Sequence, residues 1–338
     1  MKFLATVFTL SIIFNFAYSQ NNTGRRLDAG LTNSPAGLEL ATEKKKRSNG
    51  DEDLSESDSG VQRPISLKTG GLSANFAYKS DLTYQDNPYA QDGGSLDFAS
   101  ALWTSSFISS FGLGIIDLGD SILTPYIGGS WTTNEYTNAF VDATPNQKGI
   151  FDQQSFNSTN AFIALLSQYG NGWSYSGIIS YNMTKLTIDD TEALRDFTYT
   201  LKALKSFSID ENQFVWDASF NIHSTDGDSQ GDYTLLTSKR DEMDRWDIAS
   251  SLKIIREFGP IDVSPKYTLQ YSDYSNGAND DRSQFLHNLS LNFNYKFTDS
   301  FHLEMNTAYT INDSSGSDND DDYEMFDAGA AIKLSARF

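Results

Sequence analysis

The last thirteen residues alternate. Phe326, Ala328, Ala330, Ile332, Leu334, Ala336 and Phe338 share one parity and are apolar. Asp327, Gly329, Ala331, Lys333, Ser335 and Arg337 hold the other parity. Side chains of an extended chain point to opposite faces in turn, so this segment predicts a strand with one greasy and one mostly polar face, ending in an aromatic residue. Strands this long and this two-faced fit few architectures, and a membrane-spanning β-barrel is foremost among them.

The pattern recurs from Leu72 onward. Period-2 segments separated by turn-forming clusters predict strands over Leu72–Tyr84, Ser95–Ile108, Leu123–Thr132, Phe156–Leu166, Trp173–Met183, Leu194–Lys205, Gln213–His223, Arg245–Ile255, Pro260–Tyr271, Gln284–Phe297, Phe301–Ile311 and Glu324–Phe338. Many match the ~9–11 residues that a tilted strand needs to cross a bilayer. Soluble sandwich strands average about half that length. In Gln284–Phe297, Phe285, His287, Leu289, Leu291, Phe293, Tyr295 and Phe297 alternate with Leu286, Asn288, Ser290, Asn292, Asn294 and Lys296. Asparagine is depleted in ordinary strands. Its frequency on the inner parity suits a wet interior. The fold class expected is therefore all-β: an antiparallel up-and-down transmembrane β-barrel of about 12 strands.

The links give an independent reading. Short ones, as at Gln168–Gly172, Ser206–Asn212, Arg256–Gly259 and Thr298–Ser300, alternate with long ones such as Thr133–Ser155, Ser224–Asp244, Ser272–Ser283 and Asn312–Tyr323. Short periplasmic turns and long outer loops are the asymmetry expected of such barrels. Ser109–Ile122 departs from it, being long where a short turn is expected. Aromatic residues gather near strand ends (Tyr84, Trp131, Trp173, Phe197, Trp246, Tyr271, Phe297, Phe301 and Phe338), where interfacial girdles would hold them.

Composition removes several function classes. The formal charge is −20 and no basic patch suits nucleic acid. Cysteine is absent, which excludes disulfides, thiolate metal sites, a cysteine nucleophile and a lipid-modified amino-terminal cysteine. Lys2, the apolar run Phe3–Phe16 and the small residues of Ala17-Tyr18-Ser19 read as a secretory signal peptide, residues 1–19. Residues 20–63 carry Lys44-Lys45-Lys46-Arg47, then an acidic stretch, and no aromatic residue. Such a segment buries too little apolar surface to offset its ordering entropy, so it reads as a flexible periplasmic tail before a barrel over 64–338.

Together these features resemble bacterial outer-membrane β-barrel proteins of the porin-like kind. The last strand is similar to the assembly signal of that class, with Asp327, Gly329, Ile332, Leu334 and the terminal Phe338 as its elements. The resemblance implies a bacterial outer-membrane location. It also implies the barrel-assembly machinery, outer-membrane lipid and lipopolysaccharide as partners.

The inner parity carries Asp217, Asp247, Lys253, Asp262, Lys266, Lys296, Glu304, Asp327 and Lys333, expected to line a pore. Buried unpaired charge is costly. These groups therefore either border water, as in a channel for small hydrophilic solutes, or pair inside a closed structural barrel. The outer loops are acidic, with Asp226, Asp228, Asp232, Asp280, Asp281, Asp313, Asp318, Asp320, Asp321, Asp322 and Glu324. Calcium at these loops is a candidate ion, although a loop consensus is missing; no other cofactor is expected. The residues leave homo-oligomerisation open. A rim hydrolase is a third reading: His223-Ser224 supplies two members of a nucleophilic set and nothing assigns the third. Asp217 with His223, and His302 with Glu304, share parity on their strands and are read as lumen polarity rather than acid–base devices.

Overall fold

In the computed structural model, residues 72–86, 99–137, 155–187, 190, 192–225, 244–276, 280–298, 300–316 and 322–337 are described. The signal peptide, the tail and Phe338 lie outside them. The strands are β1 (Ser73–Gln85), β2 (Ser100–Gly112), β3 (Ile116–Asp117), β4 (Ser121–Thr137), β5 (Phe156–Tyr169), β6 (Trp173–Leu186), β7 (Glu192–Ile209), β8 (Asn212–Thr225), β9 (Arg245–Phe258), β10 (Ile261–Tyr274), β11 (Ser283–Lys296), β12 (Phe301–Ser315) and β13 (Tyr323–Arg337). Twelve are long. The two-residue β3 sits in the link between β2 and β4, which pair directly with each other.

Consecutive long strands pair antiparallel around the sheet. The first and last strands close it, in register from Asn75↔Arg337 to Gln85↔Asp327. The fold is thus a closed twelve-strand barrel with no free sheet edge. Closure matters because every backbone polar group in hydrocarbon must find an internal partner. At one end the links are short: 170–172, 210–211, 259–260 and 297–300. Left-handed backbone at Asp210 (φ 51°) and Gly259 (φ 63°) supplies the reversal that two-residue hairpins need.

Two expectations change. The irregular link is shorter than the sequence predicts, because β2 runs to Gly112 rather than ending at Ile108. Phe111 continues the exterior parity of Trp103 and Phe107, so nothing stops the strand there. The remaining residues are tied down by β3 and by the Leu113 N–H donating to the Pro125 carbonyl (2.9 Å). Strands also extend further at the outer end than predicted: β4 reaches Thr137, β10 Tyr274 and β12 Ser315. Apolar alternation ends at the membrane surface, whereas hydrogen-bonded pairing continues above it, with Glu135, Asp273 and Asp313 on the exterior parity.

Exposed large apolar side chains occupy one parity per strand: Trp103, Phe107 and Phe111 on β2; Ile163 and Leu165 on β5; Phe197, Tyr199 and Leu201 on β7. The opposite parity holds the buried polar residues, so the apolar surface faces out. Aromatic contacts form two tiers. Toward the outer end, Phe220, Trp246, Tyr271 and Phe285 form a row with successive centroids 6.3, 5.4 and 4.8 Å apart. Toward the short turns lie Tyr169, Tyr175, Trp173 and Trp216 (5.8, 5.8 and 5.9 Å) and Tyr295, Phe297 and Phe301 (4.6 and 4.9 Å). Phe285 and Tyr295, one from each tier, share β11. Their ten-residue separation corresponds to roughly 25 Å along the axis of a barrel tilted ~40°, the height of a membrane band. No helix among the described residues is long and apolar enough to cross a membrane.

Candidate pore: the inner wall of the barrel

Twelve strands at ~4.8 Å spacing, tilted ~40°, enclose a backbone cylinder roughly 24 Å across. Side chains of ordinary length do not fill that width unaided. The chemistry of the inner wall therefore decides what the barrel encloses.

Near the outer end, three neighbouring strands bring ionisable groups into one buried cluster. Asp247 accepts from Arg245 Nε (2.9 Å) and lies 2.9 Å from His223 Nε2. The other ring nitrogen, Nδ1, is 3.8 Å from Asp196, which also accepts from Thr198 Oγ1 and Asn182 Nδ2. His223 is 2% exposed and Asp247 0%. The guanidinium groups of Arg245 (5.5 Å) and Arg282 (4.9 Å) each lie over the Tyr274 ring. Gln85 donates to Asp327 (3.4 Å), closing the seam between first and last strands with another buried contact.

Toward the short turns the inner wall is wetter. Lys79 and Lys333 are register partners on β1 and β13, and Glu304 lies 3.3 Å from each. Lys79 also reaches Asp81 (3.6 Å). Lys202 pairs with Asp217 (3.7 Å), which accepts from Ser251 Oγ; Lys296 pairs with Asp262 (2.6 Å). Lys333 and Lys296 side chains remain 33% and 44% exposed. These ion pairs lie within one strand or join strands one or two apart, so they run along the wall rather than across the lumen.

Across β4, β5 and β6 one sector is apolar. Phe162, Ala164 and Ile178 are buried together, with Tyr126 packed against them. These side chains cover one another and present little surface to the lumen.

The sequence-selected residues Asp217, Asp247, Lys253, Asp262, Lys266, Lys296, Glu304, Asp327 and Lys333 all occupy the interior parity. They do not form one site. Asp247 and Asp327 belong to the buried outer region, and the others to the part-exposed region below. The paired candidates separate as well: Asp217 engages Lys202 while His223 engages Asp247, and His302 contacts Asn294 while Glu304 holds the two lysines. His223 points inward and Ser224, on the opposite parity, is exposed, so these two do not meet as a hydrolytic pair. Asp226, Asp228 and Asp232 lie outside the described residues. Among the described residues no group of three or more histidines and carboxylates is disposed to hold a metal ion.

Sequence reasoning passed over Lys79, Asp81, Asp196, Lys202 and Arg245. Parity alone would have found the first two: Phe76, Tyr78, Leu82 and Tyr84 fix the exterior face of β1, leaving Lys79 and Asp81 inside.

No protein family and no curated protein matches the chain. Among solved structures it is similar to the beta domain of the Bordetella autotransporter Brka (TM-score 0.45, 9% identity, 77% of this chain and 98% of that one). It is also similar to an outer membrane channel from Pseudomonas putida (0.44, 13%, 82% and 100%). A third is an anion-selective porin from Comamonas acidovorans (0.38, 11%, 79% and 99%). At these values no residue role carries over to this chain.

Proposed function

We propose that this bacterial outer-membrane β-barrel is a passive channel for small hydrophilic solutes. The observation that carries the reading is the charged, part-exposed inner wall toward the short turns, whose ion pairs run along the wall between near-neighbour strands. A barrel stabilised by a filled core would join its charges across the axis and shield them from water, since an ion pair taken fully out of water loses more to desolvation than it regains without good geometry. The width of a twelve-strand cylinder supports the same reading.

One observation favours a second reading, a non-conducting structural barrel: the burial of His223, Asp196 and Asp247 near the outer end. Planar bilayers separate the two. The folded protein is expected to give stepwise single-channel currents in KCl. Zero conductance from demonstrably folded barrel, with residues 20–63 present and with them deleted, overturns the channel and leaves the structural reading.

A further inference from the structure

Resting on the channel reading, we infer that Asn292 and Asn306 form a binding subsite in the lumen for a neutral polyhydroxylated solute, a small carbohydrate or polyol.

Two asparagine pairs face each other in direct cross-strand register on the inner parity of the described strands: Asn160 with Asn182, and Asn292 with Asn306. The first pair satisfies itself, because Asn160 Nδ2 donates to Asn182 Oδ1 at 2.6 Å. The second does not. Among the described residues neither Asn292 nor Asn306 makes a side-chain hydrogen bond. The asparagines on either side of Asn292 along β11 are engaged: Asn288 donates to the Thr310 hydroxyl (2.8 Å), and Asn294 meets His302 (3.2 Å). Both open amides are half-buried, and Asn292 lies between the levels of the two aromatic tiers that Phe285 and Tyr295 mark on its strand.

The wall is thin around them. The row that carries the pair continues to Ser264 on β10 and to Gly329 on β13. Ala308 and Ala331 lie beside it on the same face, both buried. A Cβ at Gly329 would stand 3.1 Å from Asn306 Oδ1, so that amide leans over bare backbone. The two amides therefore project from a floor of short side chains, at the rim of a shallow recess.

An amide donates through its NH2 and accepts through its carbonyl. Donors alone would serve an anion, and acceptors alone a cation. A hydroxyl both gives and takes, so two amides roughly 5 Å apart at their Cβ atoms match the adjacent hydroxyls of a polyol. The ionisable side chains bordering the recess are Asp262, Lys266, Glu304 and Asp327. Asp262 pairs with Lys296, Glu304 lies between Lys79 and Lys333, and Asp327 accepts from Gln85. Lys266 stands opposite Ser290, at the edge toward the outer end. Both signs are interleaved, so no field of one sign singles out an ion there. A few neutral hydrogen bonds give an affinity on the order of millimolar. That is weak enough for a solute to leave as well as enter.

The test uses the full chain folded into planar bilayers, with raffinose as the neutral probe. Raffinose added in KCl is expected to reduce the ion current in a saturable way. Asn292→Leu and Asn306→Leu keep the side-chain volume and remove the amide. Each should raise the half-blocking raffinose concentration about tenfold, with the conductance in KCl near that of the wild type. If a leucine variant fails to fold, Asn306→Ser, a short polar replacement, reads the same loss. Asn221→Leu removes an inner-parity amide from β8, away from the recess, and should leave the block unchanged. A conducting wild type without raffinose block overturns the site and leaves the channel standing. So does a block that survives the Asn292 and Asn306 substitutions, or one that falls equally in Asn221→Leu. Saturable block by inorganic phosphate in place of raffinose likewise overturns the neutral solute class. Zero conductance from folded protein overturns both channel and site.

Discussion

Phe162 packs against Gly128 on the inside of the barrel: a Cβ at Gly128 would stand 2.6 Å from the ring's Cζ and 2.5 Å from the Ser109 carbonyl oxygen. The ring occupies the space a side chain would need. Gly128→Ala is therefore expected to destabilise the barrel by about 1–3 kcal/mol, the range for overpacking. Phe162→Leu in that background should recover part of the loss, because it relieves the ring contact but not the backbone one. Urea unfolding in lipid vesicles, followed by tryptophan fluorescence, measures both. An unchanged midpoint for Gly128→Ala would show that the ring and strand shift freely.

The Arg245–Asp247–His223 cluster makes a second prediction. Removing one partner of a buried pair leaves the other charge uncompensated, at about 3–5 kcal/mol. Asp247→Asn removes the carboxylate charge that lies 2.9 Å from the Arg245 guanidinium and beside the buried His223. Loss of stability in that range is expected by the same unfolding measurement. Asp262→Asn, whose partner Lys296 is 44% exposed, should cost under about 1 kcal/mol, as solvated pairs do.

The architecture was readable because membrane β-structure is written in a single periodicity. Phe285 to Phe297 states its two faces outright, and closure of the last strand against the first follows from an even number of long strands. The ends were less legible. Above the bilayer the exterior parity turns polar, as at Glu135 and Asp313, so alternation of apolar residues stops marking the strand although pairing persists. The wall's chemistry was legible residue by residue but not as a set. Parity sends Lys253 and Lys266 inward; only the register makes them opposite partners, and only side-chain geometry shows that Glu304 bridges the other lysine pair. The His223 cluster was invisible in sequence, since Asp196, His223 and Asp247 come from three separate strands.

Adjacent residues on β7 test which face meets lipid. Leu201 is 65% exposed on the exterior, and Thr200 points inward between Ile178 and Asn221. A charge on the lipid face near mid-bilayer costs about 2–4 kcal/mol, whereas a lumen position hydrates it. Leu201→Arg should therefore unfold at markedly lower urea than Thr200→Arg. The reverse order would turn the barrel inside out.

The carboxy-terminal strand carries the last prediction. Ile332 and Leu334 stand on the exterior, in register with Leu303 and Phe301 of β12, while Asp327 and Gly329 face inward. These four residues are fixed by pairing on both sides of β13. If the terminal aromatic marks the chain for the assembly machinery, Phe338→Ala should lower the amount of folded barrel in the outer membrane of cells. Refolding of the purified chain into lipid vesicles should proceed as for the wild type. Heat-modifiability on gels reads folded protein in both settings. Equal losses in cells and in vesicles would make Phe338 a packing residue and remove its role as a signal.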